Sequence, residues 1–198
     1  MSGSIPRHVA ALALAGALAM AGCSTGTDAV VAGGDTEFVA PDGKSDIAYE
    51  RADRRPLAGT VSGESLLEPG TQVGLADFGG KVVVLNIWGS WCGPCRTEAP
   101  ELQRMYDQTR DSGVALLGID VRDDIRDAAE DFMRDRGLTY PSIYDPPSRT
   151  LLALRGYPRS GVPTTVVLDR QHRVAQIFLQ PVLAADLLPI VQRLAAET

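Results

Sequence analysis

Val82-Val83-Val84-Leu85-Asn86-Ile87-Trp88-Gly89-Ser90-Trp91-Cys92-Gly93-Pro94-Cys95 is the stretch on which the reading of this chain turns. Its first seven residues are apolar except for Asn86 and rich in β-branched side chains, which predicts a central strand buried on both faces. Its last four are Cys-x-x-Cys, with Pro94 at an early helical position where a missing N–H costs little. A strand therefore ends, and a helix opens, at the cysteines. Cys92 then stands at a helix N-terminus, where unpaired N–H groups and the macrodipole favour a thiolate, the attacking species in disulfide exchange. Cys95 lies one turn inward, near enough to resolve a mixed disulfide, and Trp91 offers a flat apolar wall beside the nucleophile. Half a zinc site has the same spacing, but the only other cysteine is Cys23 and the only histidines are His8 and His172. A purely structural bridge over two intervening residues would remove little unfolded-state entropy. We therefore expect redox chemistry at Cys92 and Cys95, with no metal and no cofactor.

Further elements follow downstream. Pro94 to about Thr109 reads as a helix with Leu102, Met105 and Tyr106 inward, and Val114–Ile119 as another buried strand. Asp124–Arg136 is amphipathic, with Ile125, Ala128, Ala129, Phe132 and Met133 recurring at helical spacing before a stop at Gly137. Thr164–Leu168 and Val174–Leu179 pair around Asp169-Arg170-Gln171-His172, and Val182–Ala196 closes the chain as a helix. Sequential β-α-β units predict an α/β domain over 57–198, a central sheet with helices on both faces.

The N-terminal part has a different character. Arg7 precedes an uncharged run from Val9 to Gly22, shorter than the roughly 18–20 residues that span a bilayer and suited to the apolar core of a secretory signal over 1–22. Met20-Ala21-Gly22-Cys23 resembles a bacterial lipobox, with Met20 where Leu is usual, which implies lipidation at Cys23; cleavage elsewhere or an uncleaved anchor are the alternatives. Residues 23–56 read as a tether. Within it, Phe38-Val39-Ala40 and Ile47-Ala48-Tyr49 flank Pro41-Asp42-Gly43-Lys44, a hairpin signal. Over the 198 residues the formal charge is −6, opposite in sign to what a nucleic-acid coat needs.

The quoted motif resembles the thioredoxin superfamily. Its continuation, Arg96-Thr97-Glu98-Ala99-Pro100, with Gly161-Val162-Pro163-Thr164-Thr165 ahead of a strand, is similar to the TlpA/ResA-like, membrane-anchored, extracytoplasmic thiol-disulfide oxidoreductases. That resemblance implies a thioredoxin-like mixed sheet with an inserted helix and strand between Val121 and Tyr157, besides the N-terminal hairpin. It implies a cis bond before Pro163, so that Val162 presents its backbone to an extended substrate beside Trp91, Gly93 and Pro94. Asn86 stands where thioredoxin carries a buried Asp. Glu98 matches an acid near the dithiol that exchanges protons with Cys95; the alternative is an ordinary acid favouring the helix dipole. Pro100 is given a structural part only.

The implied function is reduction of disulfides outside the cytoplasmic membrane, with apocytochrome c as substrate and a membrane thiol transporter of the CcdA/DsbD type as reductant. A general envelope reductase or isomerase would share every motif. A thiol peroxidase usually has Thr or Pro where Gly89 stands. A copper-binding assembly lipoprotein uses Cys-x-x-x-Cys with a distant His, one residue longer than here, and His172 reads as a surface turn residue.

Overall fold

The structure, a computed structural model, describes residues 29–31, 38–40, 43–158 and 161–197. The signal segment and Cys23 lie outside the described residues. In chain order the elements are β1 (Ala29–Val31), β2 (Phe38–Ala40), β3 (Asp46–Ala48), β4 (Ser62–Glu64), β5 (Gln72–Gly74), β6 (Val82–Trp88), α1 (Gly93–Thr109), β7 (Val114–Val121), α2 (Arg126–Asp135), β8 (Ser142–Asp145), β9 (Thr164–Leu168), β10 (Val174–Phe178) and α3 (Ala184–Ala196). Short 3-10 helices occupy Leu75–Phe78 and Arg149–Leu154.

Six strands form one mixed sheet in the order β3-β10-β9-β6-β7-β8. β6, β7 and β8 run parallel, joined by α1 and α2, whereas β9 pairs antiparallel with β6, β10 with β9, and β3 with β10. β6 sits inside the sheet with all seven residues buried, as its unbroken apolar run predicts. Its alternate residues feed two cores. Val82, Val84 and Trp88 pack with Leu102 and Met105 of α1, Phe132 and Met133 of α2, and Leu187 and Val191 of α3. Val83, Leu85 and Ile87 pack with Ala153 and Leu154 on the opposite side. Helices lie on both faces, but of two kinds: α-helices on one, 3-10 helices on the other.

The inserted helix and strand are α2 and β8, and β8 adds the outermost parallel strand. Phe132 of α2 stacks on Trp88 with ring centroids 4.8 Å apart, which ties the insertion to the strand that carries the dithiol. The helix is shorter than its periodicity suggests. Ile125 is its N-cap and is 68% exposed, and Ala128 is exposed too, so only Ala129, Phe132 and Met133 are buried.

The expected hairpin between 38–40 and 47–49 does not form. β2 pairs instead with β1, inside the segment read as a tether, and β3 adds to the edge of the main sheet with Ile47 opposite Ile177. The physical reason is burial: an edge position beside β10 lets Ile47 and Tyr49 pack against the second core, which an isolated two-stranded ribbon cannot offer. The sheet therefore takes in residues ahead of Leu57. The β4–β5 pair is a feature the sequence reading passed over. Among the described residues no helix is long and apolar enough to cross a membrane.

Candidate active site

β6 ends at Trp88, and the chain turns through Gly89, Ser90 and Trp91 into α1. Cys92 is the N-cap of α1, and Pro94 falls within the first helical positions as expected. Cys92 and Cys95 are joined by a disulfide, S–S 2.07 Å. The backbone N–H of Cys95 donates to Cys92 Sγ at 3.2 Å, so one of the unpaired donors of the helix end already points at the sulfur that the thiolate charge would occupy. Both cysteines are largely covered, while Trp91 beside them is 45% exposed.

The Val162–Pro163 peptide bond is cis, and the Val162 carbonyl oxygen lies 3.7 Å from Cys92 Sγ. β9 begins at Thr164 opposite Ile87, so this loop is delivered to the end of β6 by antiparallel pairing. Trp91, Gly93, Pro94, Val162 and Pro163 thus gather around Cys92 at one end of the sheet, the carboxyl end of β6 and β7 where ligands meet α/β sheets.

Glu98 lies one turn after Cys95, on the same buried face of α1. It is 1% exposed. Its Oε1 accepts from Thr165 Oγ1 (3.1 Å) and the Val182 N–H (3.2 Å), and its Oε2 accepts from Asn86 Nδ2 (3.1 Å). No cation joins this set among the described residues. Burial raises its pKa to about 7, although the three hydrogen bonds pull the other way. Glu98 is thus a buried acid one helical turn from Cys95. Asn86, Thr165 and Val182 were not linked to it in the sequence, because the three lie on three different elements.

A second set of groups holds the turn itself. Trp91 Nε1 donates to the Val121 carbonyl at 3.0 Å, and the Arg122 guanidinium sits 4.4 Å over the Trp91 ring. Ser90 is gripped twice by Asp123, and Arg96 donates to the Ser90 carbonyl at 2.7 Å. Any side chain at Gly89 would meet Trp91 Nε1 at 2.4 Å and the Val121 carbonyl at 3.0 Å, so the turn passes this close only with glycine there. The sequence signal for this platform is the charged run Asp120–Asp124 at the end of a strand running parallel to β6.

His172 lies at the other end. It occupies the β9–β10 turn, and β9 runs from Thr164 opposite Ile87 to Leu168 opposite Val83, away from the cysteines. Its Nε2 is 3.2 Å from the Phe78 carbonyl oxygen. Among the described residues, His172 is therefore not brought together with Cys92 and Cys95.

Comparison with known proteins gives a consistent set. Residues 61–177 match the model of the AhpC/TSA family. Thiol-disulfide oxidoreductase ResA of Geobacillus kaustophilus is 36% identical over 104 residues, covering 52% of this chain. The chain spans 58% of that relative's length. Thiol:disulfide interchange protein DsbE of Pseudomonas aeruginosa is 34% identical over 138 residues, 67% of this chain and 72% of the relative. A secreted thiol-disulfide isomerase from Corynebacterium glutamicum superposes with a TM-score of 0.76 at 49% identity, over 80% of this chain and 96% of that one.

Proposed function

The chain belongs to the AhpC/TSA family of thioredoxin-like proteins, and from that premise we propose that it is an extracytoplasmic thiol-disulfide oxidoreductase acting through Cys92 and Cys95. The observation that carries the reading is a Cys92–Cys95 disulfide seated on a helix N-terminus, with a backbone donor 3.2 Å from Cys92 Sγ and the Val162 carbonyl on its other side. In the reduced protein, Cys92 thiolate attacks one sulfur of a substrate disulfide, and the first substrate thiolate leaves. Cys95 gives its proton to the Glu98 carboxylate and attacks Cys92 Sγ. The second substrate thiolate leaves, and the Cys92–Cys95 disulfide remains, two electrons having passed to the substrate. A carboxyl with a pKa raised to about 7 by burial is matched to taking and returning that proton near neutrality. An extended substrate segment runs beside Trp91, Gly93, Pro94 and the Val162–Pro163 backbone.

The substrate in this reading is the Cys-x-x-Cys of apocytochrome c, reduced for haem attachment, with electrons supplied by a membrane thiol transporter of the CcdA/DsbD type. Residues 1–22 serve as a signal peptide, Cys23 as a lipidated N-terminus and the segment to 56 as the connection to the domain, which places the dithiol at the outer face of the cell membrane. The 49% identity to a secreted isomerase favours a second reading, general disulfide reduction or isomerisation in the same compartment. Gly89 supports neither reading over the other but argues against peroxide as the electron acceptor.

The test is reduction of insulin, and of a synthetic apocytochrome peptide, by the reduced domain. Cys92→Ser abolishes both reactions, and Cys95→Ser accumulates a mixed disulfide through Cys92. Full activity in either variant refutes the dithiol mechanism. A strong preference for the apocytochrome peptide over insulin separates the first reading from the second.

A further inference from the structure

Beneath the turn that presents Cys92 lie two carboxyl groups that the exchange chemistry does not use. Asp123 follows β7 and is buried. Its Oδ2 accepts the Ser90 backbone N–H at 2.6 Å, and its Oδ1 accepts the Ser90 hydroxyl at 2.6 Å. Its own backbone is anchored, because the Asp123 carbonyl accepts from the Tyr144 hydroxyl at 2.9 Å. Ser90 stands two residues before Cys92, and Trp91 between them is fixed through its own indole N–H.

Asp120 is the second group. It sits opposite Trp88 in the β6–β7 register and opposite Tyr144 in the β7–β8 register. It is 0% exposed, and as a carboxylate neither oxygen has a hydrogen-bond partner among the described residues. A buried acid in that condition carries a proton. The groups facing it agree. Burial foremost, then the adjacent Asp123 side chain and Asp145 of β8, push its pKa up to about 9 against the opposing pull of Arg126 on α2. Asp123 adjoins Asp120 and itself holds the Ser90 N–H and hydroxyl, so the two acids stand in series behind the turn.

We propose that Asp123 is a positioning residue of the redox centre: backed by Asp120, it locks the Ser90 turn and so fixes where Cys92 Sγ stands for attack. This rests on the reading of Cys92 as nucleophile. Asp123 touches no reacting atom; it acts through Ser90. The contacts are directional, and misplacing a reacting atom by a fraction of an ångström costs rate even when the thiolate is fully formed.

The experiment is stopped-flow reaction of the reduced protein with a small aromatic disulfide, followed from low pH to the plateau where the thiolate is fully formed. Asp123→Asn is expected to lower the plateau rate about tenfold, and Ser90→Ala, which keeps the backbone contact and loses only the hydroxyl, about threefold. The double variant Asp123→Ala/Ser90→Ala is expected to be no slower than Asp123→Ala alone, since both changes remove the same contact. If Asp123 acted only by its charge, removing it would speed reaction at low pH and leave the plateau unchanged. If it served stability only, the melting temperature would fall while the plateau of the folded protein held. Either result overturns the proposal. Ser90→Ala decides the matter should Asp123 variants fail to fold, an unchanged plateau again overturning it. A wild-type dithiol inert toward the reagent would refute the parent reading, and this one with it.

Discussion

The two ends of the sheet bury carboxyl groups in opposite ways. At the end away from the dithiol, Asp169 in the β9–β10 turn accepts from the N–H groups of Gln171 and Arg173 and from Arg173 Nε at 2.9 Å, and Arg54 reaches it at 3.5 Å while pairing with Glu197 at 2.7 Å. Burial alone would raise its carboxyl, but these donors and cations hold it below the usual aspartate range. At the dithiol end, among the described residues, Glu98 has three neutral donors and no cation, and Asp120 has no donor. Both are raised. The fold can supply arginine to a buried acid where only an anchor is needed. At Glu98, where a proton is to be exchanged, it withholds the cation, because an ion-paired carboxylate would never take a proton near neutral pH.

The comparison breaks most visibly on stability. Arg54→Met leaves Asp169 with one cation fewer and Glu197 without its main partner. We expect a loss of about 3 kcal/mol, the low end for a buried pair because Glu197 keeps some solvent contact. Urea unfolding measures it, and disulfide exchange by the folded fraction should be unchanged. The pairing also sets the pH response. Asp169, lowered when folded, contributes stability that is lost as pH falls through its folded pKa. Glu98, raised when folded, binds a proton that the unfolded chain gives up near pH 4.5, so stability declines from about pH 4.5 to about 7. Asp120 extends the decline to about pH 9.

A smaller effect sharpens the other half. Glu98→Gln keeps an acceptor but cannot take a proton. It should make the decline between about pH 4.5 and 7 shallower, with Asp120 still contributing, while leaving the acid limb set by Asp169 intact. It should also slow resolution of the mixed disulfide by Cys95 between about tenfold and a hundredfold, toward the low side for a general base because thiols ionise readily. Unfolding at a series of pH values and single-turnover release of substrate thiol read the two effects. A wild-type pH profile in the variant would return Glu98 to packing.

How far this contrast was legible in the sequence differs between its two ends. The strand, the Cys-x-x-Cys and the helix start are contiguous, so local pattern reached them, and resemblance reached the Gly-Val-Pro loop. Glu98 was reachable because it follows Cys95 by three residues. Its burial was not, since it depends on Asn86, Thr165 and Val182 meeting from β6, β9 and the loop ahead of α3. Asp120 and Asp123 lie just past the strand read over Val114–Ile119, where local pattern assigns them no part; only parallel pairing of β6 with β7 puts them under the Ser90 turn. The misassigned 38–49 hairpin shows the same limit. An Asp-Gly signal is local, whereas the edge of β10 that captures β3 is set far along the chain.

The central claim, that the dithiol end carries uncompensated carboxyl protons and the far end does not, is tested by following side-chain carboxyl carbons by NMR through a pH titration of the disulfide form. We expect one glutamate titrating near pH 7 that vanishes in Glu98→Gln, one aspartate near pH 9 that vanishes in Asp120→Asn, and Asp169 titrating below the ordinary aspartate value. Glu98 and Asp120 both titrating near pH 4 would contradict it.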